Sequence, residues 1–376
     1  MRRDRRDTNP ALSTRKLKLG TFQTNLDSGC VMSDLDGRLD ISWPNTVKLA
    51  KLADEMDFEL LVPVARWAGF GGKTNPQGPG FECYTWAAGI CASTTKPGVA
   101  STSHVILNHP LMAAKQGAVI DHISNGRFTL NIVCGWNVPE MDMFGIPLQT
   151  HDERYDCAEE WITIVKRLWT EDDRFDFHGK YYNIKQAYLE PKPIQSGYPA
   201  IMNAGASPRA KHFATKHCDL VFTTLRNPDP ELNAAHINSY RTMAREEYNR
   251  DVKVWSNALI VQGETEKEAR DFYKYYVHEK GDIDAAMNMV KLMEAEINER
   301  SFSDPQRKAI AELFMSGWGG FPLIGTKEQI VDGLTMLSNI GFDGLLLSFP
   351  RYEQGMREFR DVTYPLVQQA GLRDFL

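Results

Sequence analysis

The chain has 376 residues, of which 42% are hydrophobic and 24% are charged, a composition typical of a soluble globular protein with a large core. Its net charge of -6 and its pI near 5.9 exclude nucleic acid or an anionic membrane surface as the main partner, because both require a basic surface. No run of about 18 apolar residues is present, so no transmembrane helix is expected.

The cysteines predict a protein of a reducing compartment. All six are isolated in the sequence, with no Cys-x-x-Cys pair and no Cys/His spacing typical of zinc. The charged start, residues 1–7, is not followed by the apolar stretch of a signal peptide. We therefore expect a cytoplasmic protein with reduced core cysteines and no metal site.

Short apolar segments alternate with amphipathic helical segments along the chain. Strands are predicted at 17–22, 58–64, 98–105, 127–134, 200–203, 220–224, 252–261 and 344–349. Such an alternation predicts parallel strands joined by right-handed crossovers. The expected fold is an α/β (β/α)8 TIM barrel with insertions, and a doubly wound open sheet is the alternative.

No internal repeat or low-complexity linker divides the chain, so a single domain over residues 1–376 is expected. A helical stretch from Asp284 to Arg300 has no strand close behind it, which predicts an insertion at 264–321. The residues around Phe177–Tyr182 predict a small hairpin ahead of the fifth strand.

The glycine-rich segment after the second strand contains Gly72-Lys73-Thr74, the ending of a phosphate-binding P-loop. Trp67 stands where that motif requires its first glycine, and the Pro-rich residues 76–80 cannot begin a helix. The P-loop is therefore rejected, and the segment is interpreted as a loop that shapes a binding mouth.

Polar residues at the carboxyl ends of the predicted strands are the candidates for a site in a barrel enzyme. Asn131 lies within an apolar strand, and its amide offers a donor and an acceptor that match a pyrimidine-type ring edge. A core Asn satisfied by neighbouring backbone is an equally good interpretation. Gly205-Ala206-Ser207 precedes a helix start that attracts phosphate, although an ordinary Ser cap explains the same residues.

Motifs for zinc hydrolysis, a serine nucleophile elbow and a dinucleotide fold are absent from the sequence. A bound cofactor is therefore expected to supply the chemistry.

Several ordered motifs together resemble the luciferase-like flavin monooxygenases. The resemblance covers nearly the whole chain and is carried by residues 118–136, 151–155, 168–170, 177–182, 203–207 and 323–326. Within that family the chain is most similar to the pyrimidine oxygenase and dimethylsulfone monooxygenase branches. Arg66, Val64 and Cys134 depart from the pyrimidine oxygenase pattern.

The resemblance implies a two-component enzyme that takes reduced FMN from an NAD(P)H:flavin reductase. With O2 as co-substrate, one oxygen atom would enter a small heterocyclic or organosulfur substrate through a flavin-oxygen adduct. It also implies a homodimer or homotetramer. The implied cofactor-binding residues are Ala65, Arg66, Asn131, Glu140, Arg154, Tyr155, Gly205, Ala206 and Ser207.

The implied catalytic residues are Asn131, Thr102, Trp136 and His151. Asn131 or Thr102 would donate hydrogen bonds to developing charge, and His104 or His151 would move protons. Core packing of Trp136 and His104, and a solvated helix start around Glu140 and His151, remain alternatives. A deazaflavin-dependent oxidoreductase and a non-catalytic flavin-binding protein are the competing functions.

Overall fold

The computed structural model describes residues 2–205, 207–225, 229–297 and 302–374. The β-strands are β1 (Lys18–Phe22), β2 (Leu60–Val62), β3 (Gly98–His104), β4 (Phe128–Val133), β5 (Phe175–His178), β6 (Asn183–Ala187), β7 (Ala200–Ala204), β8 (Leu220–Phe222), β9 (Lys253–Gln262), β10 (Phe321–Gly325) and β11 (Gly344–Ser348).

The α-helices alternate with these strands. They are α1 (Arg5–Thr8), α2 (Trp43–Glu55), α3 (Cys83–Ser93), α4 (Pro110–Ile123), α5 (Val138–Met143), α6 (His151–Thr170), α7 (Pro208–His217), α8 (Pro230–Tyr248), α9 (Glu266–Lys274), α10 (Ile283–Ile297), α11 (Asp304–Gly317), α12 (Lys327–Asn339), α13 (Tyr352–Glu358) and α14 (Tyr364–Gln369). A 3₁₀ turn (Pro10–Leu12) and two π-helical stretches (Tyr275–Glu279 and Phe359–Thr363) complete the helical structure of the described residues.

The main sheet closes into a barrel. Its strand order is β9-β11-β1-β2-β3-β4-β7-β8, all neighbours are parallel, and β8 pairs back with β9. The predicted (β/α)8 barrel is therefore confirmed, and the open sheet is excluded. β10 was not predicted. It pairs with the carboxyl-terminal half of β9, beyond the residues that pair with β8, and Phe321 lies opposite Ala258.

Alternation along the strands separates an inner from an outer core. Inward-facing residues fill the barrel: Phe22, Leu60, Val62, Ala100, Met202, Leu220, Trp255 and Leu346. The intervening residues pack against the surrounding helices, as Val99, Leu130 and Ile201 do. The barrel is thus a filled core, and its strands end in a layer that can carry polar groups.

Residues 264–321 contain α9, α10 and α11, which form a separate apolar cluster beside the barrel mouth. The cluster includes Leu259 of β9, Tyr276, Val290 and Met315, together with Phe70 of the glycine-rich loop. The loop after β2 therefore packs on this helical segment.

No helix in the described parts of the chain is both long and apolar enough to cross a membrane. The six cysteines are all buried and none forms a disulfide, as expected from their spacing.

Candidate functional site

Asn131 and Thr102 lie side by side at the carboxyl ends of β4 and β3, where their backbones are paired in register. The Asn131 Nδ2 donates to Thr102 Oγ1 at 2.9 Å, and Thr102 in turn donates to the carbonyl oxygen of Pro63. Both side chains are buried, and Asn131 Oδ1 has no hydrogen-bond partner. An unpaired buried acceptor costs about 1–3 kcal/mol, so this oxygen is a candidate acceptor for a hydrogen bond from a ligand.

The hydrogen bonds between Thr102, Asn131 and Pro63 leave one polar atom of the pair open to a ligand. The Thr102 hydroxyl is committed as a donor to Pro63, and Asn131 uses its amide nitrogen on Thr102. The family resemblance implies that Asn131 or Thr102 donates a hydrogen bond to the charge that develops during the reaction with oxygen, and that role stays a prediction. The open atom of the pair is an acceptor.

Glu140, on the first turn of α5, is fully buried and anchors the start of the glycine-rich loop. Its Oε1 accepts hydrogen bonds from the backbone N–H of Trp67 at 2.8 Å and of Ala68 at 3.3 Å. The same oxygen lies 3.3 Å from Arg66 Nη1, and Glu140 Oε2 has no partner. The alternative of a solvated helix start does not hold for this residue, because its side chain is inaccessible to solvent.

Arg66 is enclosed by aromatic rings. Its guanidinium carbon lies 4.9 Å from the ring centroid of Phe70, 5.4 Å from that of Trp136 and 5.9 Å from that of Trp318. Burial lowers the pKa of Arg66, whereas the charge of Glu140 opposes this shift. Cation–π contacts and one ion pair therefore replace water around this cation.

Trp136 occupies the loop between β4 and α5, whose backbone is held by Arg154. Arg154, buried on α6, donates to the carbonyl oxygen of Gly135, which has a φ of 90° that favours glycine. The arginine therefore fixes the loop that places the Trp136 ring over Arg66.

Ser207 caps α7 and meets His151 of α6. Its Oγ accepts from the backbone N–H of Ala210 at 3.1 Å and lies 3.0 Å from His151 Nε2. The His151 ring packs against Tyr155, with 5.1 Å between centroids. A helix start combined with a Ser and a His is suited to an anion.

Gly205 precedes this cap in a crowded place. A Cβ atom there would lie 2.4 Å from the Ala210 Cβ and 2.7 Å from the Tyr155 hydroxyl oxygen, so no larger residue fits. Ala65, in the loop that follows β2, is half-buried. Ala206, the remaining predicted cofactor-binding residue, lies outside the described residues.

His104 faces the same end of the barrel from the last position of β3. Burial lowers the pKa of His104 to about 4, and the nearby charge of Arg66 adds to the effect. The imidazole is therefore neutral at neutral pH and is suited to hydrogen bonding rather than to proton donation.

The glycine-rich loop after β2 and the helix α10 are joined by hydrogen bonds at this end of the barrel. Asp282, at the start of α10, accepts from the Thr74 backbone N–H at 2.6 Å and from Thr74 Oγ1 at 2.8 Å. Asn288 Nδ2 donates to the carbonyl oxygen of Phe70 at 2.9 Å. The glycine-rich loop is thus tied to the helical segment from α9 to α11.

A cavity of about 690 Å³ lies at the opposite, amino-terminal end of the strands. Its lining includes Arg3, Arg6, Lys96 and Arg127. The Arg127 guanidinium donates to the carbonyl oxygens of Cys91, Thr94, Pro97 and Ser124, so it serves the protein itself. Because barrel enzymes carry their sites at the carboxyl ends of the strands, this cavity is not the candidate site.

No group of three or more His, Cys, Asp or Glu side chains is placed to hold a metal ion within the described ranges.

The model of the luciferase-like monooxygenase family matches residues 18–344 of this chain. The chain belongs to the luciferase-like monooxygenase family. This membership confirms the predicted family and the predicted enzyme class, a flavin-dependent monooxygenase.

Two curated relatives cover nearly the whole chain. The FMNH2-dependent dimethylsulfone monooxygenase of Pseudomonas putida is 30% identical over 361 residues, which are 94% of this chain and 96% of that protein. The pyrimidine monooxygenase RutA of Acinetobacter baylyi is 26% identical and covers 93% of this chain and 95% of its own length. These are the two branches that the sequence motifs indicated.

A solved structure of riboflavin lyase with modified FMN and riboflavin superposes with a TM-score of 0.83 at 19% identity, covering 95% of this chain and 92% of that chain. This likeness supports the barrel fold.

Proposed function

We propose that this chain is the oxygenase component of a two-component system. It would use reduced FMN and O2 to insert one oxygen atom into a small heterocyclic or organosulfur substrate. The observation that carries the proposal is Asn131 Oδ1, a buried and unpartnered acceptor at the carboxyl end of a barrel of this family.

The residues present fit reduced FMN. Asn131 Oδ1 and Glu140 Oε2 are buried acceptors without partners, and a flavin offers N–H and O–H donors. The α7 start, with Ser207 and His151, supplies an anion site of the kind that a phosphate needs. We propose Ala65, Arg66, Arg154, Tyr155 and Gly205 as the residues that complete the binding surface.

Reduced flavin supplies the electrons that activate O2, and the protein supplies the surroundings. Arg66 and its three aromatic neighbours exclude water from the barrel mouth. Thr102 fixes the orientation of the Asn131 amide, so the acceptor Oδ1 is held in place before any ligand arrives. Trp136 contributes an apolar wall.

His151 is assigned to the phosphate end of the site. Its Nε2 is engaged with Ser207, and its Nδ1 lies 3.0 Å from the exposed Asp152 Oδ1. This geometry favours anion binding over the proton transfer that the sequence suggested.

The partners are proposed on the same basis. A separate NAD(P)H:flavin reductase would supply reduced FMN, as the name of the FMNH2-dependent relative suggests. A homodimer or homotetramer is expected, and light scattering of the purified protein measures it.

The test is oxygen incorporation. The protein is combined with a flavin reductase, NADH, FMN and ¹⁸O2, and candidate heterocycles and organosulfur compounds are screened by mass spectrometry. A product carrying one ¹⁸O atom, formed only when FMN is present, supports the proposal. Hydride transfer with a reduced deazaflavin, or flavin binding with no turnover of any compound, contradicts it.

A further inference from the structure

Strand β9 presents Asn257 to the barrel interior. Trp255, two residues earlier on the same strand, belongs to the interior cluster, and strand alternation turns Asn257 the same way. Asn257 is buried, and no motif of the sequence indicates a role for it.

β9 lies directly across the barrel from β3, the strand that carries Thr102. Three strands separate the two on one side (β11, β1 and β2) and three on the other (β8, β7 and β4). Asn257 and the Thr102–Asn131 pair therefore occupy opposite walls of the lumen.

Pairing registers place Asn257 and Thr102 at the same height. Going round the barrel by way of β11, β1 and β2, Asn257 pairs in turn with Leu346, Gly20, Leu60 and finally Gly98 of β3. Going the other way, by way of β8, β7 and β4, Val254 pairs in turn with Val221, Asn203, Ile132 and finally Ser103 of β3. Asn257 lies three residues beyond Val254 and therefore corresponds to position 106. The offset between positions 98 and 106 equals the shear of eight of a TIM barrel, and Thr102 lies midway.

The amide of Asn257 is held with its nitrogen against the turn that follows α11. Nδ2 donates to the carbonyl oxygen of Trp318 at 3.4 Å, and a Cβ on Gly320 would lie 3.0 Å from this nitrogen. Trp318 itself has a φ of 55°, which turns the chain over the lumen. The remaining atom, Oδ1, has no hydrogen-bond partner.

The surroundings favour an uncharged ligand. Arg66 and Glu140, the charged pair described at this end of the barrel, neutralise each other at 3.3 Å. Phe22, Val62, Met202 and Phe222 line the lumen below and beside the two walls. A charged substrate group would lose its water without gaining a partner.

We propose that Asn257 orients the substrate by accepting a hydrogen bond at Oδ1, so that the substrate is a small uncharged molecule with an N–H donor, such as a cyclic amide or imide. Sulfones carry no donor and leave this oxygen unpaired. The inference rests on the proposed function and narrows it, because it selects the N–H heterocycles over the organosulfur compounds.

The experiment compares donor-bearing probes with their N-methylated counterparts. Uracil and 1,3-dimethyluracil, succinimide and N-methylsuccinimide, and dimethyl sulfone are titrated anaerobically into the protein loaded with reduced FMN. The wild type should bind the N–H member of each pair about tenfold or more tightly, the value of one buried hydrogen bond. Asn257→Leu should abolish this preference and leave the affinity for the methylated members unchanged.

A second variant and two control measurements separate a substrate role from a structural one. Asn257→Ala is prepared alongside Asn257→Leu, and the melting temperature and the affinity for reduced FMN are measured for both. Retention of the preference in the variants overturns the role of Asn257. Tighter binding of dimethyl sulfone, or no binding of any N–H probe, overturns the substrate class.

Failure of the proposed function has a different signature. If the wild type does not bind reduced FMN at all, the proposed function fails before the probes are added. If it binds reduced FMN normally but does not distinguish N–H from N-methyl probes, only the inference on Asn257 fails.

Discussion

At the scale of single residues, Asn131 and Glu140 share one property: each is buried and holds an oxygen atom without a hydrogen-bond partner. In a core these atoms would be destabilising, and at the carboxyl end of a barrel they are the acceptors that we propose for a ligand. His104 lies beside them with its imidazole kept neutral. These side chains give the site its hydrogen-bonding character.

Asn131→Ala is expected to uncouple flavin oxidation from product formation. The variant loses the acceptor that Thr102 orients, so the product formed per O2 consumed should fall about tenfold or more while hydrogen peroxide rises. Oxygen uptake and product are measured together, with the exposed Asn339→Ala as the control. Wild-type coupling in Asn131→Ala contradicts this assignment.

His104 predicts a pH dependence of stability. Its pKa is about 4 in the folded protein and about 6.5 in the unfolded chain. Above pH 6.5 the imidazole is neutral in both states, and the contribution to stability is fully present. Between pH 6.5 and pH 4 only the unfolded chain binds the proton. The free energy of unfolding therefore decreases as the pH is lowered, by roughly 3 kcal/mol over this interval.

Denaturant unfolding across this range checks the prediction. The free energy of unfolding should change less steeply with pH in His104→Gln than in the wild type. The control His278→Gln, at an exposed histidine, should show the wild-type dependence. An identical slope in the wild type and His104→Gln would show that His104 does not carry the effect.

The sequence allowed Asn131 to be predicted and left Glu140 ambiguous, for physical reasons. A polar residue within an apolar strand is expected to be buried and to need a partner, and the family resemblance then favoured a ligand over neighbouring backbone as that partner. A carboxylate near a helix start is ordinarily solvated, and only the fold shows that Glu140 is enclosed under the backbone of Trp67 and Ala68. The unpartnered oxygen of Asn257 depends on the turn at Trp318, which no local pattern indicates.

At the scale of elements, the glycine-rich loop and the α9–α11 segment form one covering layer over the barrel mouth. Gly72 packs so closely on Asp282 that a Cβ would lie 2.3 Å from the carboxylate. Phe70 joins the apolar cluster of the helices and also contacts Arg66. Movement of this layer would therefore change the surroundings of Arg66.

Asp282→Ala is expected to free the loop without unfolding the barrel. Removal of the two hydrogen bonds to Thr74 should raise the rate of limited proteolysis within residues 69–80 about tenfold and raise the KM for reduced FMN. Thr74→Val leaves the hydrogen bond from the Ala285 backbone N–H to Asp282 Oδ1, at the start of α10, intact and should give a smaller change in the same direction. The exposed Asp284→Ala is the matched control, and cleavage equal to that control would contradict the role of this contact.

β10 shows why one element was not predicted. Its sequence, Phe-Pro-Leu-Ile-Gly, contains a proline that is excluded from central strands. The strand forms because β10 lies at the end of the sheet and pairs with β9 on one side, where the missing N–H of Pro322 is tolerated. The eight barrel strands could be predicted from short, mainly apolar segments that alternate with helical segments, as expected for strands buried on both faces.

At the scale of the whole molecule, barrel closure joins distant parts of the chain. β11 pairs with β1, and Arg373 near the carboxyl terminus donates to Glu59 beneath the barrel. Arg15 contacts the same carboxylate at 2.7 Å. Alternating strands and helices predicted the barrel, whereas this long-range ion pair left no local signal.

Arg373→Ala is expected to lower the free energy of unfolding by about 3–5 kcal/mol, because it leaves the buried Glu59 with one fewer cation. Arg357→Ala, which removes an exposed pair with Glu353, should cost less than about 1 kcal/mol. Chemical denaturation of both variants measures the difference. Equal costs for the two would contradict a role for Arg373 in barrel closure.

The use of reduced FMN by this protein is tested most directly by an anaerobic equilibrium titration of the purified protein with reduced FMN, with a reduced deazaflavin as the competing cofactor. We expect saturable binding of one FMN per chain, weakened in Ser207→Ala, and no comparable binding of the deazaflavin. Absence of reduced-FMN binding, or a preference for the deazaflavin, would show that the chain is not an FMNH2-dependent oxygenase.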